Sequence, residues 1–218
     1  AMGADISAQA DGSVRVGALP GGKLRPSASV LDCGNSGTSM RLLAGLAAGQ
    51  PFETVLSGDE SLCRRPMARV TQPLRAMGAS ADGKDDGRLP PLRIRGGALN
   101  GIVHHSAVAS AQVKSCLLLA GLFAEGRLEL HEPTLSRDHS ERMLRAAGVR
   151  IETLSDGVAM DCGQPLALPE GRMRVARDLS AAAFFVVAAS ILESADLQLP
   201  DLGINPTRRG FFYCVSGL

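Results

Sequence analysis

Apolar residues fall along this chain in two kinds of run, and the two kinds recur in a fixed order. Short runs that stop at glycine or proline read as strands: VRVGALPGG from Val14, LRIRGGALNG from Leu92 and VAMDCGQP from Val158. Longer Ala/Leu-rich runs opened by small polar residues read as helices: GNSGTSMRLLAGLAAG from Gly34, ASAQVKSCLLLAGLFAEG from Ala109 and DLSAAAFFVVAASILE from Asp178. A further strand is expected after each helix, in FETVLSGD from Phe52, RLELHEP from Arg127 and ADLQLPDL from Ala195. After the first two, a polar loop leads into a second helix that closes at a glycine.

Those closing glycines mark a repeat. Gly3, Gly78 and Gly148 stand in AMGADISAQADG, AMGASADGKDDG and AAGVRIETLSDG, spaced by 75 and then 70 residues. Each reads as a left-handed helix cap followed by a strand and an Asp-Gly turn. The period exceeds that of common solenoid repeats. Its helix and strand content predicts an α/β protein in which helices are buried against several small sheets. The phase is incomplete at both ends. The chain opens on the last residues of a helix, and NPTRRGFFYCVSGL does not resemble the closing helix due there, so a piece of a longer protein is expected.

Composition narrows the class. Of the 218 residues, 45% are hydrophobic and 21% charged, with a net charge of +1, an ordinary globular balance. That charge gives no reason to expect nucleic acid or an acidic membrane as a partner. Aromatics at 3% argue against base-stacking platforms. The longest apolar run, AAAFFVVAASIL, is too short to cross a bilayer, and no signal peptide is expected. Cys33, Cys63, Cys116, Cys162 and Cys214 form no CxxC pair and read as reduced thiols of a cytoplasmic protein.

The polar residues gather at helix entrances and in the loops after strands. Helix N-termini carry unpaired amides and a partial positive charge, and so suit anions. The first entrance offers Asn35, Ser36, Gly37 and Thr38, with Arg41 one turn on; the second offers Ser110, Ala111 and Gln112, with Lys114. Loops add Arg64-Arg65-Pro66, Ser136-Arg137-Asp138-His139 and Asn205-Pro206-Thr207-Arg208. The planar fork of arginine matches phosphate and carboxylate. A Ser or Asn ahead of an apolar helix is by itself an ordinary N-cap. Recurrence at equivalent places of a repeat is what favours a small, multiply anionic ligand. His104, His105 and His131 show no metal spacing, and Cys63 beside two arginines reads as an inert thiol.

LDCGNSGTSMRLLAG, LSGDESLCRRPMARVTQPLRAMGA, PPLRIRGG, SAQVKSCLLLAGL, SRDHSERML, DLSAAAFFVVAASIL and GINPTRRG together resemble the 5-enolpyruvylshikimate-3-phosphate (EPSP) synthases, in that family's order and over nearly the whole chain. The resemblance implies βαβαββ-like units packed as an inside-out α/β barrel, one near-complete domain plus the start of a second. Residues 1–176 would form the shikimate-3-phosphate-binding domain, its first unit incomplete. Residues 177–218 would carry the last unit or hinge and a truncated second domain. The implied reaction moves the enolpyruvyl group of phosphoenolpyruvate to the 5-hydroxyl of shikimate-3-phosphate and releases phosphate, on the route to aromatic amino acids. No metal or organic cofactor is implied. Ser110, Ala111, Gln112, Ser136 and Arg137 match positions that hold shikimate-3-phosphate, Ala111 standing where some members have serine. Asn35, Gly37 and Arg65 match the side that holds phosphoenolpyruvate, or glyphosate as an inhibitor in its place. Gly37 carries no methyl group to exclude glyphosate, and Leu42 replaces the proline of some members.

The departures bear on turnover. The family's lysine-bearing PGSKS-type stretch is absent, as are its catalytic aspartate and the acidic, arginine and lysine groups of the second domain. No catalytic residue is therefore assigned to this chain, and the missing half of the enzyme is an expected partner. ARD at 176–178 stands where PGD is common. Two alternatives remain: a non-catalytic module that binds shikimate-3-phosphate or glyphosate with half a site, and a UDP-N-acetylglucosamine enolpyruvyl transferase. The second requires a cysteine five residues before an Arg-Pro pair, where this chain has Glu60.

Overall fold

The computed structural model describes residues 2–17, 19, 23–167, 171, 173–208 and 210–216. Two copies of one βαβαββ unit make up its body. The first runs β3 (Leu31–Asp32), α1 (Gly37–Ala48), β4 (Glu53–Ser57), α3 (Ala68–Ala76), β5 (Ser80–Gly83) and β6 (Leu89–Arg95). The second runs β8 (Val103–His105), α5 (Ala111–Gly121), β10 (Arg127–His131), α6 (His139–Ala146), β11 (Glu152–Thr153) and β12 (Gly157–Asp161). Ahead of them stands a hairpin, β1 (Ile6–Ala8) with β2 (Val14–Val16). Short elements fill the joins: α2 (Glu60–Cys63), the single turn α4 (Lys84–Gly87), β7 (Leu99–Asn100) and β9 (Ala124–Glu125). Last come α7 (Leu179–Ser190), a 3-10 turn (Pro206–Arg208) and α8 (Gly210–Ser216).

The sheets repeat with the units. Strand orders β3-β4-β6-β5 and β8-β10-β12-β11 are the same pattern, the first pair parallel and the others antiparallel. A parallel pair needs a crossover, which α1 and α5 supply. Gly3, Gly78 and Gly148 sit at φ +89, +107 and +86, the left-handed conformation expected of the repeat's caps.

One core joins both units. Leu56, Leu92 and Ile94 of the first sheet and Leu128, Leu130 and Met160 of the second close over α1 and α5. Helix α5 is apolar on most sides and buries Val113, Cys116, Leu117, Leu118 and Ala120. No residue beyond Cys162 joins this core among the described residues. Helix α7 is at least as apolar, yet it buries only Leu179 and Ala182, and leaves Phe184 79% and Phe185 63% exposed.

Two expectations fail near the end of the chain. ADLQLPDL forms no strand; its β-pairing among the described residues is a single bridge, Arg177 with Leu202. A strand requires a partner for its amides, and residues 195–202 have no neighbouring strand among the described residues. The tail, conversely, does turn helical at Gly210–Ser216, after Asn205 Oδ1 accepts from the Thr207 amide at 3.0 Å. The expected glycine–proline run at 18 and 20–22, Arg209 and the Arg208 side chain lie outside the described residues.

Candidate anion-binding site

Helices α1 and α5 lie side by side and run the same way. At their starts Gln112 Nε2 donates to Thr38 Oγ1 at 2.7 Å. Midway, a Cβ on Gly45 would stand 2.1 Å from the Cys116 carbonyl oxygen, so only glycine permits this approach. Near the ends, Gly49 meets Phe123. Both N-termini therefore open at one end of the molecule, where their partial positive charges add. Ser36 caps α1 by accepting from Ser39 N at 3.1 Å, and Ser110 caps α5 by accepting from Val113 N at 3.4 Å. The ordinary capping role of these serines is thus real, and it coexists with the charged surroundings.

Arginines surround the first entrance. Arg41, 5% exposed, donates from Nη1 to Gln112 Oε1 and from Nη2 to the Pro66 carbonyl at 3.2 Å. Its Nε has no partner among the described residues. Burial, then the neighbouring Arg69 and Arg65, draws this guanidinium below its ordinary value. Arg65 Nη2 donates to Asn35 Oδ1 and, at 3.4 Å, to Ser61 Oγ. Arg41, Arg65, Arg69 and Arg137 form no ion pair among the described residues. Arg41, Arg65 and Arg69 are close enough to repel one another, and only Arg65 also feels a nearby carboxylate, that of Asp59, so the excess of positive charge suits an anion. Gly37 sits against them: a Cβ there would lie 2.9 Å from Arg41 Nη1 and 3.4 Å from Arg65 Nη1.

The loop carrying Asn35 is braced from behind. Asn35 Nδ2 donates to Asp59 Oδ2 at 2.6 Å, and Asp59 N donates to the Gly34 carbonyl at 2.9 Å. Asp59 also caps α2 through Leu62 N at 2.7 Å. The hydrogen bond from Asn35, then that from Leu62, holds the Asp59 carboxyl below its usual range.

The second entrance is organised differently. Ala111 and Gln112 open α5, but both ends of the Gln112 amide are engaged by Arg41 and Thr38. Ser136 donates to Glu132 Oε2 through both N (3.2 Å) and Oγ (2.8 Å), while Arg137 is exposed beside it. Lys114 does not belong to the anion-facing set in which the pattern placed it. It is 4% exposed, with Glu132 at 2.9 Å and Glu141 at 2.8 Å, because a buried ammonium must be paired. Arg64 likewise faces solvent and pairs with Glu60. Asn205 donates to Asp138 at 2.8 Å, which ties the third polar loop to the second.

The remaining candidates stay outside the site. His105 and His131 stack at 4.6 Å, and His131 Nδ1 lies 2.9 Å from Asp156. No group of three or more His, Cys, Asp or Glu could hold a metal ion among the described residues. Cys63 points back at the Gly58 carbonyl at 3.4 Å. Burial pushes the Cys116 thiol up to about 12. All five cysteines are free, and no helix of the described residues is long and apolar enough to cross a membrane. A cavity of about 590 Å³ between α3 and β8, lined by Arg69, Gln72, His104 and Val113 among others, includes none of the expected ligand-holding residues.

Glu132, Glu141, Asp59 and Arg69 were not singled out by the sequence pattern. Asp59 lies between β4 and α2 and Glu132 directly follows β10, and a carboxylate just after a strand was the available signal.

Repeated βαβαββ units, with arginines gathered where two parallel helices start side by side, define an α/β protein with an entrance suited by charge to an anion. The family model "EPSP synthase (3-phosphoshikimate 1-carboxyvinyltransferase)" matches residues 1–216, and the chain belongs to that family. It is 51% identical over 209 residues to the 3-phosphoshikimate 1-carboxyvinyltransferase of Geobacillus thermodenitrificans, covering 96% of this chain and 48% of that protein. The enzyme of the same name from Pelotomaculum thermopropionicum is 48% identical over 217 residues, covering 100% of this chain and 50% of that one. The 2.37 Å structure of EPSP synthase from Acinetobacter baumannii superposes with a TM-score of 0.86 at 45% identity, covering 97% of this chain and 47% of that one. The chain thus spans about half the length of the relatives it matches.

Proposed function

We propose that this chain is the shikimate-3-phosphate-binding half of a 3-phosphoshikimate 1-carboxyvinyltransferase. In this reading Ser110, Ala111, Gln112, Ser136 and Arg137 hold shikimate-3-phosphate. Asn35, Gly37 and Arg65 hold phosphoenolpyruvate, or glyphosate in its place. The observation that carries it is the cluster of Arg41 and Arg65, which form no ion pair among the described residues, at the joined N-termini of α1 and α5. Such a cluster supports two adjacent anionic groups, which a phosphorylated acceptor and phosphoenolpyruvate together provide.

The overall reaction transfers the enolpyruvyl group: the acceptor 5-hydroxyl displaces phosphate from phosphoenolpyruvate, and its proton leaves with the products. Proton transfers of this kind need acid and base groups within hydrogen-bond reach of the reacting atoms. In this reading those groups come from the half of the relatives' length that this chain does not span. Residues 1–176 are the binding domain, and 177–218 carry its last unit or hinge and the truncated start of a second domain. The end of the core at Cys162 and the exposure of α7 support that division. The exposed face of α7 fits the other half of the enzyme as its cover. Five free thiols support a cytoplasmic location.

The test is phosphate release from shikimate-3-phosphate plus phosphoenolpyruvate. The folded chain alone is expected to be silent, and addition of a polypeptide covering the relatives' other half to restore turnover. Release by the chain alone, abolished by Arg65→Ala, would overturn the division of labour. Silence of the mixture with intact binding of shikimate-3-phosphate would favour the non-catalytic binding module.

A further inference from the structure

The Glu132 side chain accepts four hydrogen bonds among the described residues, and none of the ligand-facing roles uses it. It is the first residue after β10 and is 5% exposed. Its Oε1 accepts from the Ser110 amide at 3.0 Å. Its Oε2 accepts from Lys114 Nζ at 2.9 Å, from the Ser136 amide at 3.2 Å and from Ser136 Oγ at 2.8 Å. Lys114 in turn reaches Glu141 at 2.8 Å and the Ser136 carbonyl at 3.4 Å. The start of α5 and the loop before α6 are thus held by one carboxylate, with a buried ammonium behind it.

A buried ion cluster of this kind is a weak source of stability, because desolvating the charges offsets their attraction. What it does supply is direction. Four donors converge on two oxygens, so the two loops cannot shift relative to each other without breaking charge-assisted hydrogen bonds. We propose that Glu132, backed by Lys114 and Glu141, is a positioning residue that fixes the spacing between Ser110 and the Ser136-Arg137 loop for a phosphorylated ligand. This deepens the function proposed above and takes its ligand from that reading. It also explains a lysine at the entrance of α5 that is nearly buried: its hydrogen bond, with those of Ser136 and Ser110, favours the ionised Glu132 as a four-fold acceptor.

The distinguishing variant is Glu132→Gln, which keeps shape but turns one end of the group into a donor facing Lys114 and Ser136. Two readouts separate positioning from the ligand assignment. Amide hydrogen exchange in the free protein is expected to show Ser110 and Ser136 protected to within about threefold of each other in the wild type. In Glu132→Gln both are expected to lose at least tenfold, with the Leu117 and Leu128 amides unchanged. Calorimetric titration with shikimate-3-phosphate is expected to show a dissociation constant raised at least tenfold by the same variant. Ser110 and Ser136 exchanging more than tenfold apart in the wild type would overturn the proposal even if the variant failed to fold. So would released loops with unchanged affinity. A wild type that shows the paired protection but binds no shikimate-3-phosphate would refute the ligand reading, leave the junction standing as a loop brace and remove its proposed purpose.

Discussion

Helices α5 and α7 are built from nearly the same material and meet opposite fates. Both begin at a capped entrance, Ser110 in one and Asp178 in the other, and both continue into largely apolar runs, Cys116–Gly121 in α5 and Ala181–Ala189 in α7. Helix α5 lies between α1 and the second sheet, with Leu117 and Leu118 fully buried. Helix α7 has Phe184, Phe185 and Val187 exposed. An all-round apolar helix is a request for neighbours on every side, and only α5 has them. Its glycine-lined contact with α1 is also what aligns two helix starts, so the buried helix makes the site and the exposed one does not. The difference teaches that apolar content identifies a helix, while its surroundings decide what it does.

That contrast is open to measurement. The largest effect is expected from Leu117→Ala: emptying a fully buried position in a close-packed core costs about 2–5 kcal/mol, read as a fall in the urea midpoint. A loss below ~1 kcal/mol would mean that α5 is not a central element. A smaller effect follows from acid. Burial alone would raise the Glu132 carboxyl, but hydrogen bonds from Lys114, Ser136 and Ser110 carry it below its ordinary 4.5. The stability this depressed group contributes is therefore complete above pH 4.5 and is lost as the pH falls through its folded value. Urea midpoints of the wild type and Glu132→Gln should converge as the pH falls below that value. A gap that widened toward acid would contradict the assignment. The smallest effect belongs to Phe184→Ala on α7, under about 0.5 kcal/mol, as for any exposed position. A cost comparable to Leu117→Ala would show that α7 is covered in solution.

Much of this was legible in the residues. Glycines at 3, 78 and 148 announced the repeat because each has to adopt a left-handed conformation, a requirement local to the chain. Helices α1, α5 and α7 were legible from their caps and apolar runs. The site was legible in part: Asn35, Gly37 and Arg65 meet around Arg41, and Ser110 and Ser136 meet at Glu132. What escaped was whatever depends on residues distant in sequence. Lys114 looked solvent-facing until Glu132 and Glu141 folded over it. ADLQLPDL had a strand's composition without a strand to pair with, and the exposure of α7 could not be told from its own residues.

The central claim, that the joined helix entrances bind shikimate-3-phosphate, is tested most directly by calorimetric titration of that ligand into the chain and its Arg137→Ala variant. Arg137 is exposed and forms no hydrogen bond or ion pair among the described residues, so its removal should leave the melting temperature unchanged. Binding by the wild type, weakened by about 1.5–3 kcal/mol in the variant, is the predicted result, the scale of a hydrogen bond to a charged group. Equal affinity in both proteins, or no binding by a folded wild type, would contradict it.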